Sequence, residues 1–172
     1  MTSGYRPPEP LGEHHRLEAF NCESSEQTEW LRRYARQAAA TGTTRVFVVT
    51  EQGRAQVVAY YAWCMAQIQL SDAPQRLRKG AGRYPQPVAL LARLGVQVDH
   101  ERRGLGAGLL QDVFVRLMEL PENIGCRGLL VHAESIQARD FYFHLVPEFE
   151  PSPTDDLHLV LLLKDMRRTL AS

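Results

Sequence analysis

The feature that most constrains this chain is a β-prone run that breaks at glycines and opens directly into an amphipathic helix. Val88–Val98 is mostly apolar and β-prone, although Arg93 and Gly95 interrupt it, and it leads into Asp99-His100-Glu101-Arg102-Arg103-Gly104-Leu105-Gly106-Ala107-Gly108. Beyond it, Leu109, Leu110, Val113, Phe114, Leu117 and Met118 recur at i, i+1, i+4, i+5, i+8 and i+9, the stripe of a helix packed on a sheet. A strand, a glycine-rich turn and a helix in that order call for a layered α/β arrangement.

The remaining elements fall around that junction. His14–Phe20 reads as a short first strand. Ser24 with Gln27 has the capping-box form, and Gln27, Trp30, Leu31, Tyr34 and Ala38 share one helical face until Thr41-Gly42 ends the helix. Arg45–Thr50 and Gln56–Trp63, rich in Val, Tyr and Phe, form a hairpin across Glu51-Gln52-Gly53-Arg54. Residues 71–87 hold Pro74, Gly80, Gly82, Pro85 and Pro87 among Arg76, Arg78, Lys79 and Arg83, a broken basic loop. Gly128–His132 is a buried strand, Ser135–Leu145 a helix and Leu157–Leu163 a last strand before a basic end at Arg167 and Arg168. The expectation is an α/β (α+β) fold, a mixed sheet with helices on both faces.

A length of 172 residues fits one domain with a full core. Pro7, Pro8 and Pro10 mark residues 1–12 as a flexible N-terminal tail ahead of a single domain over 13–172. Cys22, Cys64 and Cys126 are odd in number and widely spaced, which speaks against a disulfide framework or a thiolate metal site and for a reducing, cytoplasmic compartment. No apolar run approaches the ~18 residues of a membrane span. Twenty Lys+Arg balance 20 Asp+Glu, so any nucleic-acid partner must be held by a local basic patch. His14, His15 and His132 lack metal-ligand spacing and read as surface and strand residues, with no metal expected.

A glycine-rich turn opening a helix gathers consecutive backbone N–H groups and the positive helix end around one small volume, which suits a phosphate. Gly104, Gly106 and Gly108 allow close approach, and Arg102 and Arg103 bring cations to a pyrophosphate. No Gly-Lys-Ser/Thr follows, so it is no P-loop. Alone, the same turn serves equally as a connection with solubilising arginines. On the later helix, Tyr142 has the hydroxyl to protonate a leaving thiolate, or packs with Phe141 into the core.

With these two features together the chain resembles the GCN5-related N-acetyltransferase superfamily. The family's pyrophosphate loop, Gln/Arg-x-x-Gly-x-Gly/Ala, falls on Glu101-Arg102-Arg103-Gly104-Leu105-Gly106, with Glu at the first position, and the cradle of N–H groups extends through Ala107 to Gly108. Its Asn-x-x-Ala-x-x-Phe-Tyr helix falls on Ser135–Tyr142, with Ser135 in place of Asn and Phe141 before the tyrosine. Leu94-Gly95-Val96 is similar to the strand end that pairs with pantetheine, one half of a splayed central parallel pair in a mostly antiparallel sheet. The resemblance implies acetyl-CoA as cosubstrate, Tyr142 as general acid, oxyanion stabilisation by backbone N–H near Val96, no assigned base and no role for the cysteines.

A narrower resemblance, carried by Ala92-Arg93-Leu94-Gly95-Val96, Gly82-Arg83-Tyr84-Pro85-Gln86-Pro87, Phe20-Asn21-Cys22 and Glu150-Pro151-Ser152-Pro153, is to acetyltransferase toxins of bacterial type II toxin–antitoxin pairs. It implies acetylation of the α-amine of aminoacyl-tRNA and a block of translation, a ribbon-helix-helix antitoxin and a homodimer. Arg76, Arg78, Lys79, Arg83 and Arg93 are then the tRNA-binding cations, or otherwise a solvated loop. Two other readings stay open: an acetyltransferase of small amines or protein amines, and a non-catalytic module that binds acyl-CoA or antitoxin.

Overall fold

The computed structural model describes residues 4–171. Seven strands form a mixed sheet in the order β1-β2-β3-β4-β5-β7-β6, with β1 at Glu9–Pro10, β2 at Arg45–Thr50, β3 at Val57–Ile68, β4 at Gln86–Val96, β5 at Gly128–His132, β6 at Glu150–Ser152 and β7 at Asp155–Leu162. Six α-helices accompany them among the described residues: α1 Ser25–Arg33, α2 Ala35–Thr41, α3 Gln75–Arg78, α4 Leu105–Leu117, α5 Ile136–Leu145 and α6 Leu163–Ala171. β1 with β2, β2 with β3, β5 with β7 and β6 with β7 pair antiparallel, whereas β4 and β5 run parallel over Ala89–Leu91 opposite Leu129–Val131; β4 then continues to Val96. Among the described residues no helix is long and apolar enough to cross a membrane.

The chain divides into two compact units. The first takes residues up to Cys64 together with Ala92–Asp112. Its core is Leu17, Phe20, Leu31, Val46, Val48, Val57 and Tyr60, all buried. Ser24 caps α1 by accepting from the Gln27 N–H at 3.1 Å, as the capping-box spacing requires. The helix expected to run unbroken to Thr41 is interrupted at Tyr34, whose φ of −116° with ψ of −20° departs from regular helix geometry, and α2 starts after it. Gly42, at φ 77°, ends α2 in the left-handed cap that glycine adopts without strain.

Two expectations for the N-terminal region fail. His14–Phe20 forms no strand; only Arg16 bridges Gln56, because turns at either side of it interrupt the backbone alternation. Residues 4–12 are not a loose tail: Tyr5 is buried and bridges Glu51, and β1 pairs with β2 in the register Glu9↔Val48. Prolines are tolerated at this sheet edge, where no further strand needs their missing N–H. Residues 1–3 of that proposed tail lie outside the described residues.

The second unit takes Met65–Leu91 with Val113 onward. Ile68, Ala73, Leu77, Val88, Leu130 and Val160 form its core. The broken segment 71–87 holds a single helical turn, α3, whose Leu77 is fully buried while Arg76, Arg78 and Lys79 face out. Burying that one leucine stabilises the turn by about 2 kcal/mol, more than a four-residue helix supplies by itself. Gly128 pairs opposite Leu162, and a Cβ there would collide with the Leu161 carbonyl oxygen, so glycine is required for the β5–β7 approach. The sequence reading missed β6 and α6; the supposed basic end is a helix that buries Asp165 and Met166.

Candidate active site

In the first unit, β4 ends at Val96 and a short 3-10 turn over Val98–His100 delivers the chain to the glycine-rich loop. Gln97 fixes this exit: its N–H donates to the Val58 carbonyl at 2.8 Å, and its side-chain oxygen accepts from the Asn21 N–H at 2.7 Å. Gly95 is buried under Tyr60, Cys22 and Phe20, whose atoms stand 3.2 to 3.5 Å from where a Cβ would sit. Larger residues therefore have no room at that strand end.

The loop itself carries two left-handed residues, Arg102 at φ 62° and Gly104 at φ 81°. Alternation of this kind curls successive N–H groups inward into an anion-binding concavity. The Gly108 N–H closes onto the Gly104 carbonyl at 3.0 Å as α4 begins, which leaves the N–H groups of Leu105, Gly106 and Ala107 without acceptors inside the helix. Arg102 and Arg103 are exposed beside them. Left-handed backbone at a non-glycine residue costs about 1–3 kcal/mol and persists where the surroundings enforce it.

A hydrogen-bond chain that the sequence did not signal supports Arg103. Its guanidinium donates to the Tyr5 hydroxyl at 2.9 Å, that hydroxyl is hydrogen-bonded in turn to His100 Nδ1 at 2.6 Å, and His100 Nε2 stands 3.8 Å from Glu51. Glu101, the departure from the family pattern, has its carboxyl pushed above the usual range by burial and then by the nearby Glu23 carboxylate. These residues fit an acetyl-CoA diphosphate through the open N–H groups and two cations, with Glu101 as the one opposing charge.

In the second unit, Ser135 caps α5 by accepting from the Ala138 N–H at 3.1 Å. This employs the Ser135 oxygen expected to reach pantetheine, although its hydroxyl proton stays free to donate. Tyr142 is 6% exposed, set edge-on to Phe141 and Phe149 at 5.2 and 5.9 Å between ring centroids. Its hydroxyl has no hydrogen-bond partner among the described residues, and burial pushes its pKa well above the ordinary phenol value. The phenol is thus a neutral, unengaged proton donor.

The five expected tRNA cations divide. Arg76 is clamped to Asp165 and stands 3.6 Å from Glu150, and Arg93, in the first unit, pairs with Glu26 at 3.0 Å and lies over the Trp30 ring at 5.4 Å. Arg78, Lys79 and Arg83 are exposed and have no side-chain partner among the described residues. The thiols offer no nucleophile: Cys22 and Cys126 are buried, and burial pushes the Cys64 thiol up.

The histidines correct the sequence reading in a different way. His15 is not on the surface but 2% exposed, and the donor atoms of Glu9, His14 and His15 lie within 4.8 Å of one another. His15 Nδ1 accepts the Gly12 N–H at 2.9 Å and Nε2 points at Glu9 at 2.8 Å, so Nε2 carries the proton. A metal on Nε2 would need that nitrogen stripped while Nδ1 already lacks a proton, which makes the cluster a structural clasp.

Protein-family models offer no match to the chain. The tRNA-acetylating toxin of Mycobacterium tuberculosis is 39% identical over 165 residues, covering 96% of each chain. This chain belongs to the tRNA-acetylating toxin family. Among solved structures, AtaT complexed with acetyl-methionyl-tRNAfMet matches with a TM-score of 0.86 at 20% identity over 96% of this chain and 99% of that one. An AtaT mutant bound to the C-terminus of the antitoxin AtaR and acetyl-CoA matches with a TM-score of 0.80 at 19% identity over 98% and 99%. These likenesses establish that this member of the toxin family shares the fold of those structures.

Proposed function

We propose that this chain, with residues 13–172 acting as one catalytic domain, transfers acetyl from acetyl-CoA to the α-amine of aminoacyl-tRNA and so withdraws charged tRNA from translation. The observation that carries the reading is the 39% identity, over nearly the whole of both chains, to a protein named for acetylating tRNA. The geometry of the two units supports it. Acetyl-CoA supplies an activated thioester when bound. Arg102, Arg103 and the open N–H groups of Leu105, Gly106 and Ala107 hold its diphosphate, with Gly104 and Gly108 shaping the loop, while the Gly108 N–H is taken by the Gly104 carbonyl; Leu94, Gly95 and Val96 offer strand-end backbone groups, and Ser135 and Phe141 complete the cofactor residues. Tyr142, neutral and without a hydrogen-bond partner among the described residues, donates its proton to the departing thiolate.

Of the cations assigned to tRNA, Arg78, Lys79 and Arg83 are available, whereas Arg76 and Arg93 act through the fold they stabilise. The same reading implies a cytoplasmic site of action, a ribbon-helix-helix antitoxin and a homodimer, which the toxin resemblance supports.

Labelled acetyl-CoA offered with charged tRNA, uncharged tRNA and a mixed pool of amines and peptides tests the reading. Label on charged tRNA alone, lost in Tyr142→Phe, is the expected result. Label on amines or peptides instead replaces it with ordinary amine acetylation, and acetyl-CoA binding with no transfer replaces it with a non-catalytic module.

A further inference from the structure

Tyr84 is the most exposed large aromatic side chain of the described residues, at 76%, and it stands in the segment that carries the three unengaged cations. The backbone that presents it is braced from beneath. Gln86, 6% exposed, donates through its side-chain amide to the Tyr84 carbonyl at 2.9 Å and the Ala81 carbonyl at 3.4 Å. The Gln86 side-chain oxygen is in turn held by Arg127, whose backbone N–H donates to the Pro87 carbonyl at 2.8 Å. Gly80 at φ 81° and Gly82 at φ 67° make the two left-handed turns that bring the chain around. A buried amide and an arginine thus hold out a ring that is three-quarters exposed.

We propose that this arm, Arg78 to Tyr84, docks a single-stranded part of the tRNA substrate, with Tyr84 stacking on an unpaired base and Arg78, Lys79 and Arg83 taking the flanking phosphates. The inference rests on the reading under Proposed function and names a contact within it. Charge complementarity selects the occupant. Asp165 and Glu150 are already occupied with Arg76, so the three cations beside the ring are uncompensated, and Gln75, Arg76, Arg78 and Lys79 line an open groove of about 530 Å³. One ring without an apolar groove around it matches the flat face of a base, whereas a peptide partner needs several apolar side chains covered together. Stacking on aromatic faces combined with a cationic track is how single strands are held without reading their sequence.

The experiment measures steady-state acetylation of charged tRNA by the full chain and its Tyr84→Ala, Tyr84→Phe and Arg78→Ala variants. Binding to a short single-stranded RNA is followed in parallel through the fluorescence of Tyr84→Trp. Tyr84→Ala is expected to raise KM for tRNA about tenfold with kcat and KM for acetyl-CoA unchanged, and Tyr84→Phe to restore it, since the stacking face survives. Arg78→Ala is expected to lower the salt dependence of binding by about one ion. An unchanged KM in Tyr84→Ala, a Tyr84→Phe variant as weak as Tyr84→Ala, or a Tyr84→Ala variant altered only in neutralisation by antitoxin overturns the inference. If the parent acetylates no tRNA, the underlying function fails instead, and a Tyr84→Trp signal that does not respond to single-stranded RNA overturns the arm's role on its own.

Discussion

Arg76 holds Asp165 with both terminal guanidinium nitrogens, at 2.8 and 3.1 Å, across 89 positions of sequence. The Asp165 side chain is only 1% exposed, so its charge depends on this partner, with Arg168 a distant second at 3.8 Å. Removing one member of a fully buried pair costs about 3–5 kcal/mol, and the partial exposure of Arg76 brings the expected figure for Arg76→Ala down to about 2 kcal/mol. Arg78→Ala should leave stability within about 0.5 kcal/mol, as surface changes do. Urea midpoints of the two variants separate a structural arginine from a surface one; equal midpoints contradict the assignment.

Tyr142→Phe should lower kcat by about 10²–10³ while leaving KM for acetyl-CoA and the melting temperature nearly unchanged. The ring keeps its contacts with Phe141 and Phe149, and only an unpartnered hydroxyl is lost. Because burial raises the folded-state pKa above the ordinary 10.0, the phenol stays protonated and kcat should show no alkaline fall from this group through about pH 9. By linkage, the buried neutral form contributes stability that is complete below about pH 10 and lost as pH climbs further. A kcat–pH profile and an alkaline melting series check both statements.

Glu101→Gln should tighten acetyl-CoA binding. The Glu101 carboxylate sits in the loop that would cradle a diphosphate, and burial and Glu23 already disfavour its charge. Neutralising it is expected to lower KM for acetyl-CoA about threefold at pH 8, the scale of one partly screened charge. The raised pKa means that the parent protonates at a higher pH than an ordinary glutamate, so the two KM curves should converge as pH falls, sooner than for an ordinary glutamate. Parallel curves would show that Glu101 faces away from the cofactor.

Glu9→Gln should destabilise the protein by about 1 kcal/mol at neutral pH. The Glu9 pKa is lowered, first by the hydrogen bond from the buried His15, so the carboxylate contributes stability above its unfolded value of 4.5 that disappears as pH falls through the folded value. Thermal melts of parent and variant should therefore differ at pH 7 and draw together as pH falls below 4.5 through the lowered folded-state value.

Much of this architecture is local enough to be read from the chain. Gly128–His132 and the α5 span emerge as expected, because hydrophobic runs and a Ser cap are decided within a few residues. What escaped reading depends on distant partners. Asp165 looks like an ordinary surface acid until Arg76 arrives opposite it, and Arg76 and Arg93 look like free cations until Asp165, Glu26 and Trp30 are in place. β1 and β6 are two and three residues long, below the length at which alternation shows, and their pairing to β2 and β7 supplies the order that their own sequences lack. The glycine-rich turn that opens α4 was legible from the sequence, whereas its support by Tyr5 and His100 was not, since a tyrosine among prolines gives no hint of a contact 98 positions away.

The left-handed Arg102 sets two selective pressures against each other. At φ 62° the backbone is most at ease with glycine, and Arg102→Gly should make the fold more stable by about 1 kcal/mol. The same change removes a cation from the loop proposed to hold the diphosphate. Drift toward thermal robustness therefore runs downhill, at this single position, toward a loop that has lost the charge its proposed ligand needs.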